Sequence, residues 1–344
     1  MSKTLMDTNP GRPQIPASEA ASPAAERTVT LLSDSDEKPL GPVHPPLLEI
    51  LAGPQIHFVI ARWLIYLALG FGVLFLYGAA LRAVHPHRGG SVWWTMASEL
   101  GLMVAAVVPG FVMALVERRP FGDFGLPSRG AFGPNFWVGA LWGLGSLTLL
   151  MLVLRAAGVF YFGSLALHGA RVAGFAAFYI VFFLMTGVFE DFLLRGYSQW
   201  ILSKALKFWP AAVVLSVIFG ALHTSNSGET ISGVLAVVAI GLFFCLTLRR
   251  TGTLWWAVGF HMAWDWGESY LYSVPDSGTT LRGHLLNSSI HGAAWLTGGS
   301  AGPEGSYLVF GLIAVMWVLF SRVYPDVKYG VAQEPAAQPT STTT

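Results

Sequence analysis

Apolar residues dominate the chain from residue 58 onward, in runs separated by short polar or glycine-rich breaks. A helix needs about 20 mainly apolar residues to cross the hydrocarbon core of a bilayer. Eight stretches qualify or come close: 58–81, 95–116, 136–157, 172–204, 209–223, 231–248, 254–272 and 307–323. The pattern predicts an all-α fold, a polytopic membrane helical bundle of about eight transmembrane helices. Arg62 is placed to snorkel at the start of the first stretch. Pro109-Gly110 predicts a kink in the second. Gly139 and Gly143 give the third a face of small residues for close helix packing. The fourth is too long for one straight span, so it must tilt or emerge after Arg195. The fifth is the shortest and reads as a buried helix as readily as a span.

The polar segments differ in kind. Residues 1–46 are rich in Pro, Ser, Ala, Thr and acidic residues and hold no apolar run of signal-peptide type. They read as a disordered tail, and 331–344 reads likewise. The domain between them is expected to span 47–325. One long loop, 273–306, is rich in Gly and Ser. Loops of that length either cap a site or simply connect, and the sequence leaves both open.

Composition strengthens the membrane assignment. Hydrophobic residues make up 53% of the chain and charged residues 11%, against about 25% charged in soluble domains. The net charge of +1 and the lack of a basic run give no sign of a nucleic-acid partner. The single cysteine, Cys245, excludes an internal disulfide and reads as packing. With the N-terminus inside, nine Lys and Arg residues fall on the cytoplasmic side and four on the other. The positive-inside rule therefore predicts both termini in the cytoplasm. Trp63, Trp137, Trp209, Trp255 and Trp256 then form an inner interfacial belt, with Trp93 and Trp94 at the outer interface.

Against this background a few ionisable residues stand out. Glu190, Asp191 and Arg195 lie inside the fourth apolar stretch, His223 ends the fifth, and His261 and Asp265 lie in the seventh. Ionisable groups at membrane depth are costly and by default mark function. Asp191 and Arg195 are one helical turn apart and can pair. Glu190 lies about 100° around the helix from Asp191 and can face the bundle interior. Phe219 and His223 share a face, as do His261 and Asp265, and a carboxylate one turn from a histidine can orient its ring.

Taken singly, each of these is more often structural than catalytic. Together they support two enzymatic schemes. In one, Glu190 and His223 activate a water and His261 with Asp265 stabilises an oxyanion. In the other, His223, His261 and Glu190 bind Zn²⁺, which activates the water. No HExxH is present, and spacing alone does not choose between the schemes. A proton-coupled transporter using the same groups as a relay is a reading from another class, and a silent membrane scaffold is a third.

The residues resemble a known family. Glu190-Asp191-x-x-x-Arg195 resembles the EExxxR motif of the CAAX prenyl protease and bacteriocin-processing (CPBP) intramembrane peptidases. Phe219-x-x-x-His223 resembles their FxxxH motif and His261-x-x-x-Asp265 their HxxxN or HxxxD motif. The resemblance is strong over 174–272. It implies a glutamate-dependent intramembrane endopeptidase, a hydrolase, and favours the metal-free scheme over the Zn²⁺ alternative. In that scheme Glu190 and His223 activate water, while His261 and Asp265 stabilise the oxyanion. Asp191, Arg195 and Phe219 take supporting roles. Asp191 departs from the pattern by replacing the second Glu, one methylene shorter. The implied setting is a bacterial-type inner membrane, and the implied partner is a membrane protein or peptide substrate. The sequence leaves the oligomeric state open.

Overall fold

The computed structural model describes residues 55–84 and 91–330. The tails expected at 1–46 and 331–344 lie outside the described residues. The chain forms helices α1 (Ile56–Val84), α2 (Val92–Val116), α3 (Pro134–Ala156) and α4 (Ala170–Asp191), then a wide π-type turn, Phe192–Tyr197. Helices α5 (Ser198–Leu206), α6 (Phe208–His223), α7 (Ile231–Thr251) and α8 (Trp255–Trp266) follow. A second π-type turn, Gly267–Tyr272, extends α8. After the long loop, which holds the short α9 (Ala294–Thr297), α10 (Tyr307–Val323) closes the described chain.

All eight predicted stretches are helical. Five helical segments are long and apolar enough to cross a membrane: α1, α2, α3, the combined Ala170–Leu206 and α7. Helices α6 and α10 are apolar but shorter. The fold is an all-α membrane bundle with one small ornament, an antiparallel pair of β1 (Phe160–Tyr161) and β2 (Ser289–Ile290).

Helix α2 runs on through Pro109 to Val116. The fourth stretch does break, at the π-type turn just past Asp191, where Gly196 adopts φ −83° and ψ −114°. Wide turns of this kind frequently mark functional sites. The end of the broken segment is tied down by Glu117. This carboxylate pairs with Arg62 at 2.9 Å and with Lys204 at 3.5 Å, and it accepts from the Tyr197 hydroxyl at 2.9 Å. Arg62 therefore turns inward and is buried, instead of snorkelling to the interface. The desolvated carboxylate of Glu117 is a stronger attraction for it than water at the helix end.

The small-residue face on α3 is used as expected. A Cβ on Gly139 would meet the Trp256 carbonyl oxygen at 2.0 Å, and one on Gly143 the Phe260 oxygen at 2.3 Å. Backbone therefore lies against backbone between α3 and α8. This contact presents the opposite face of α8, with His261 and Asp265, to the bundle interior. It also corrects the expectation for Trp256. Its ring is fully buried against Phe243, Phe260 and Phe320, because close helix approach leaves no route to an interface. Trp93, Trp137 and Trp209 stay exposed. Cys245 is buried in the core.

Candidate active site

Asp191 and Arg195 form the innermost piece. Their ion pair spans 2.7 Å and is buried on both sides. Arg195 Nε also donates to the Gly241 carbonyl at 3.3 Å, which joins the α4 break to α7. The guanidinium carbon lies 4.5 Å from the Phe219 ring centre and 5.3 Å from that of Phe244. Two aromatic faces thus complete the cage around a buried cation. This gives Phe219 a physical role that its spacing from His223 alone does not suggest. Its ring holds the arginine on one side, and the His223 ring packs edge-on at 4.6 Å.

His261 stands at the centre of three carboxylates. Its Nε2 is 3.5 Å from Glu190 and 3.5 Å from Asp265, and its Nδ1 is 3.6 Å from the second oxygen of Asp191. These separations exceed good hydrogen-bond lengths and are electrostatic contacts. Asp191 therefore does more than pair with Arg195. One oxygen holds the arginine and the other faces the imidazole, so the shorter side chain still reaches both partners. The Phe244 ring covers the imidazole at 5.7 Å.

Glu190, His223, His261 and Asp265 all line one cavity of about 210 Å³. A water needs roughly 10–15 Å³ by the same kind of measure, so there is room for several. His223 enters from the end of α6, with Nδ1 engaged by the Phe219 carbonyl oxygen at 2.9 Å. Its Nε2 is left for the cavity. His223 makes no ion pair with Glu190, and the two face the same space without touching. The donors of the zinc scheme, His223, His261 and Glu190, do not form a group with ligand atoms within 4.8 Å of one another.

Two features escaped the sequence reading. Glu99 projects from α2 into the same cavity, nearly buried, with Oε1 making no hydrogen bond. The rule that singles out Glu190, a carboxylate within an apolar span, applies equally to Glu99. The second feature is the long loop. Asp276, Ser277, Thr279, Leu281 and Glu304 line the cavity, so 273–306 is a wall of the site and more than a connector. Burial, reinforced by the charges of Asp265 and Glu304, pushes the Asp276 carboxyl well above the usual range.

Fold and cavity together define a membrane-embedded helical bundle with a carboxylate- and histidine-lined internal site. Residues 172–267 match the family model described as type II CAAX prenyl endopeptidase Rce1-like. The match covers this stretch alone and agrees with the family that the three motifs resemble. It contains Glu190, Asp191, Arg195, Phe219, His223, His261 and Asp265. No curated protein and no solved structure matches the chain.

Proposed function

We propose that the protein is a CAAX-protease-like intramembrane endopeptidase that cleaves peptide bonds of membrane-associated proteins or peptides. The observation that carries this reading is the convergence of Glu190, His223 and His261 from three helices on one cavity with room for several waters. Glu190 accepts a proton from a water held between it and His223, while the water oxygen bonds to the scissile carbonyl carbon. The carbonyl π pair moves onto oxygen, where His261 donates a hydrogen bond. The C–N bond then breaks, and the proton on Glu190 passes to the leaving amine.

Asp265 lies one turn from His261 at 3.5 Å and acts by orienting the imidazole. A bare carboxylate would repel an oxyanion, so contact through the ring is the favourable arrangement. The rest of the lining is aromatic and aliphatic, including Phe182, Phe183, Ile240, Val309 and Met316, which suits an apolar peptide segment.

The test is comparative membrane peptidomics of cells carrying the wild type or Glu190→Gln. Peptides whose new termini vanish in the variant are the expected outcome, with the variant folded and present at normal level. A wild-type cleavage pattern from Glu190→Gln would refute the role given to this residue.

A further inference from the structure

Helix α2 sends one side chain into the cavity, that of Glu99. The residue is only 9% exposed, and its Oε1 is shut off from water with no hydrogen-bond partner. The nearby Thr186 hydroxyl donates within its own helix, to the Phe182 carbonyl at 3.2 Å. Among the described residues no lysine or arginine lines the cavity. Arg195 is taken up by Asp191 and the Gly241 carbonyl. A buried acid facing an open space is costly until something completes it. That partner has to enter with whatever fills the cavity.

Contacts on either side of Glu99 fix its level along α4. The Trp93 ring packs edge-on against Phe178 at 5.4 Å. A Cβ on Gly110 would meet the Phe192 ring at 2.5 Å. Helices α2 and α4 therefore run side by side in the same direction. Residue 99 lies six positions past Trp93, which brings it level with about 183–186 on α4. Phe182, Thr186 and Glu190 recur every fourth residue and all line the cavity, so they form one stripe along α4. Glu99 thus stands beside the Phe182–Thr186 part of this stripe. Glu190 lies one to two turns further on, roughly 6–9 Å by the helical rise.

The surroundings of Glu99 point to the chemistry of its partner. Phe182 and Phe183, both buried, are the aromatic lining at this level. Apolar rings leading to an acid match a lysine or arginine side chain, whose stem is apolar and whose end is charged. An aromatic face near the charge adds cation–π attraction. Norleucine would fill the same space and leave Oε1 unpaired, and an acidic side chain would be repelled. An extended peptide advances about 3.3 Å per residue. A separation of roughly 6–9 Å from Glu190 therefore corresponds to two or three residues.

We propose that Glu99 is a specificity-determining residue that selects membrane peptides carrying a lysine or arginine two or three residues from the scissile bond. The position of that bond rests on the peptidase reading, whereas the pairing with Glu99 is a matter of binding alone.

The probes are synthetic apolar peptides in which one lysine, arginine, glutamine or norleucine is moved along a constant sequence. The protein is the full chain purified in detergent. Fluorescence anisotropy of labelled peptides on the Glu190→Gln variant reads affinity without turnover and without the competing carboxylate. Mass spectrometry of peptides incubated with wild type reads the position of the cut. Lysine and arginine peptides should bind about tenfold or more tighter than their norleucine counterparts, and cuts should fall two or three residues from the cation. Adding Glu99→Gln should remove most of this preference, whereas Glu99→Asp, which keeps the charge on a shorter stem, should retain part of it. Cleavage with no preference for basic peptides would overturn the proposal and leave the peptidase reading standing. Preferential binding without any cleavage would uphold the pairing with Glu99 and refute the peptidase reading. Equal affinity for lysine and norleucine peptides, no measurable binding of either, or an undiminished preference in Glu99→Gln would each overturn the proposal. If Glu99→Gln does not fold, the preference shown by protein that retains Glu99 decides the matter.

Discussion

Removing the guanidinium of Arg195 is the most direct probe of the assembly that carries Glu190. The pair with Asp191 spans 2.7 Å and is excluded from water on both sides. At an effective dielectric constant near 20 the Coulomb attraction at that separation is about 6 kcal/mol. Most of this offsets the cost of desolvating both ions, so the net value of the intact pair is small. Arg195→Ala measures a different quantity, a buried Asp191 left without its cation, which costs about 3–5 kcal/mol. Loss of the Phe219 and Phe244 faces adds roughly 1 kcal/mol each. His261, 3.6 Å from the other Asp191 oxygen, remains and returns part of the loss. The sum stays at about 3–5 kcal/mol, and at about 2 °C per kcal/mol the melting temperature should fall by roughly 6–10 °C. Tryptophan fluorescence during heating in detergent is the assay. Asp191→Asn combined with Arg195→Met, which removes both charges at similar volume, should recover more than half of the loss. An unchanged melting temperature in Arg195→Ala, or a double variant no better than the single, would refute the buried-pair account.

Two further predictions concern packing and pH. Gly143→Val should abolish folding or strongly lower stability, because its Cβ would meet the Phe260 carbonyl at 2.3 Å, whereas Gly145→Ala, with nothing within 4 Å, should be silent; expression and melting in detergent compare the two. Glu229, in the turn between α6 and α7, has its carboxyl raised above 4.5 by burial and by Glu304, against the opposing hydrogen bond from Thr230 and the charge of His223. A raised folded-state value means its contribution is fully present below 4.5 and is lost as pH climbs through the raised value. Melting temperature should therefore fall as pH rises over that window. Glu229→Gln should flatten the slope, and an identical slope in the variant would count against the assignment.

Much of the site could be read directly from the residues. The i, i+4 spacing of Asp191 and Arg195 foretells an ion pair because a helical turn leaves those side chains adjacent, and the pair is present. Gly139 and Gly143 foretell a close approach, and α8 supplies it. Glu99 is equally legible by its place in an apolar span, although no motif accompanies it. Other features had no local signal. Arg62 lies near a helix start, where snorkelling is the default, until Glu117 arrives from 55 residues away. Trp256 looks like a neighbour of Trp255, yet one is wholly buried and the other donates to the Pro127 carbonyl.

The sequence by itself determined the environment, the helices and the motif residues, because each depends on short-range periodicity or on the cost of charge in lipid. The tertiary structure decided which carboxylates share a space. Glu99, Asp276 and Glu304 are scattered across 206 positions of the chain, and nothing local ties them together. Only the packing of α2 and α8 and the return of loop 273–306 bring them around His261. The reason is that charge–charge energies depend on separation in space and on shared exclusion from water, and neither quantity is written along a chain.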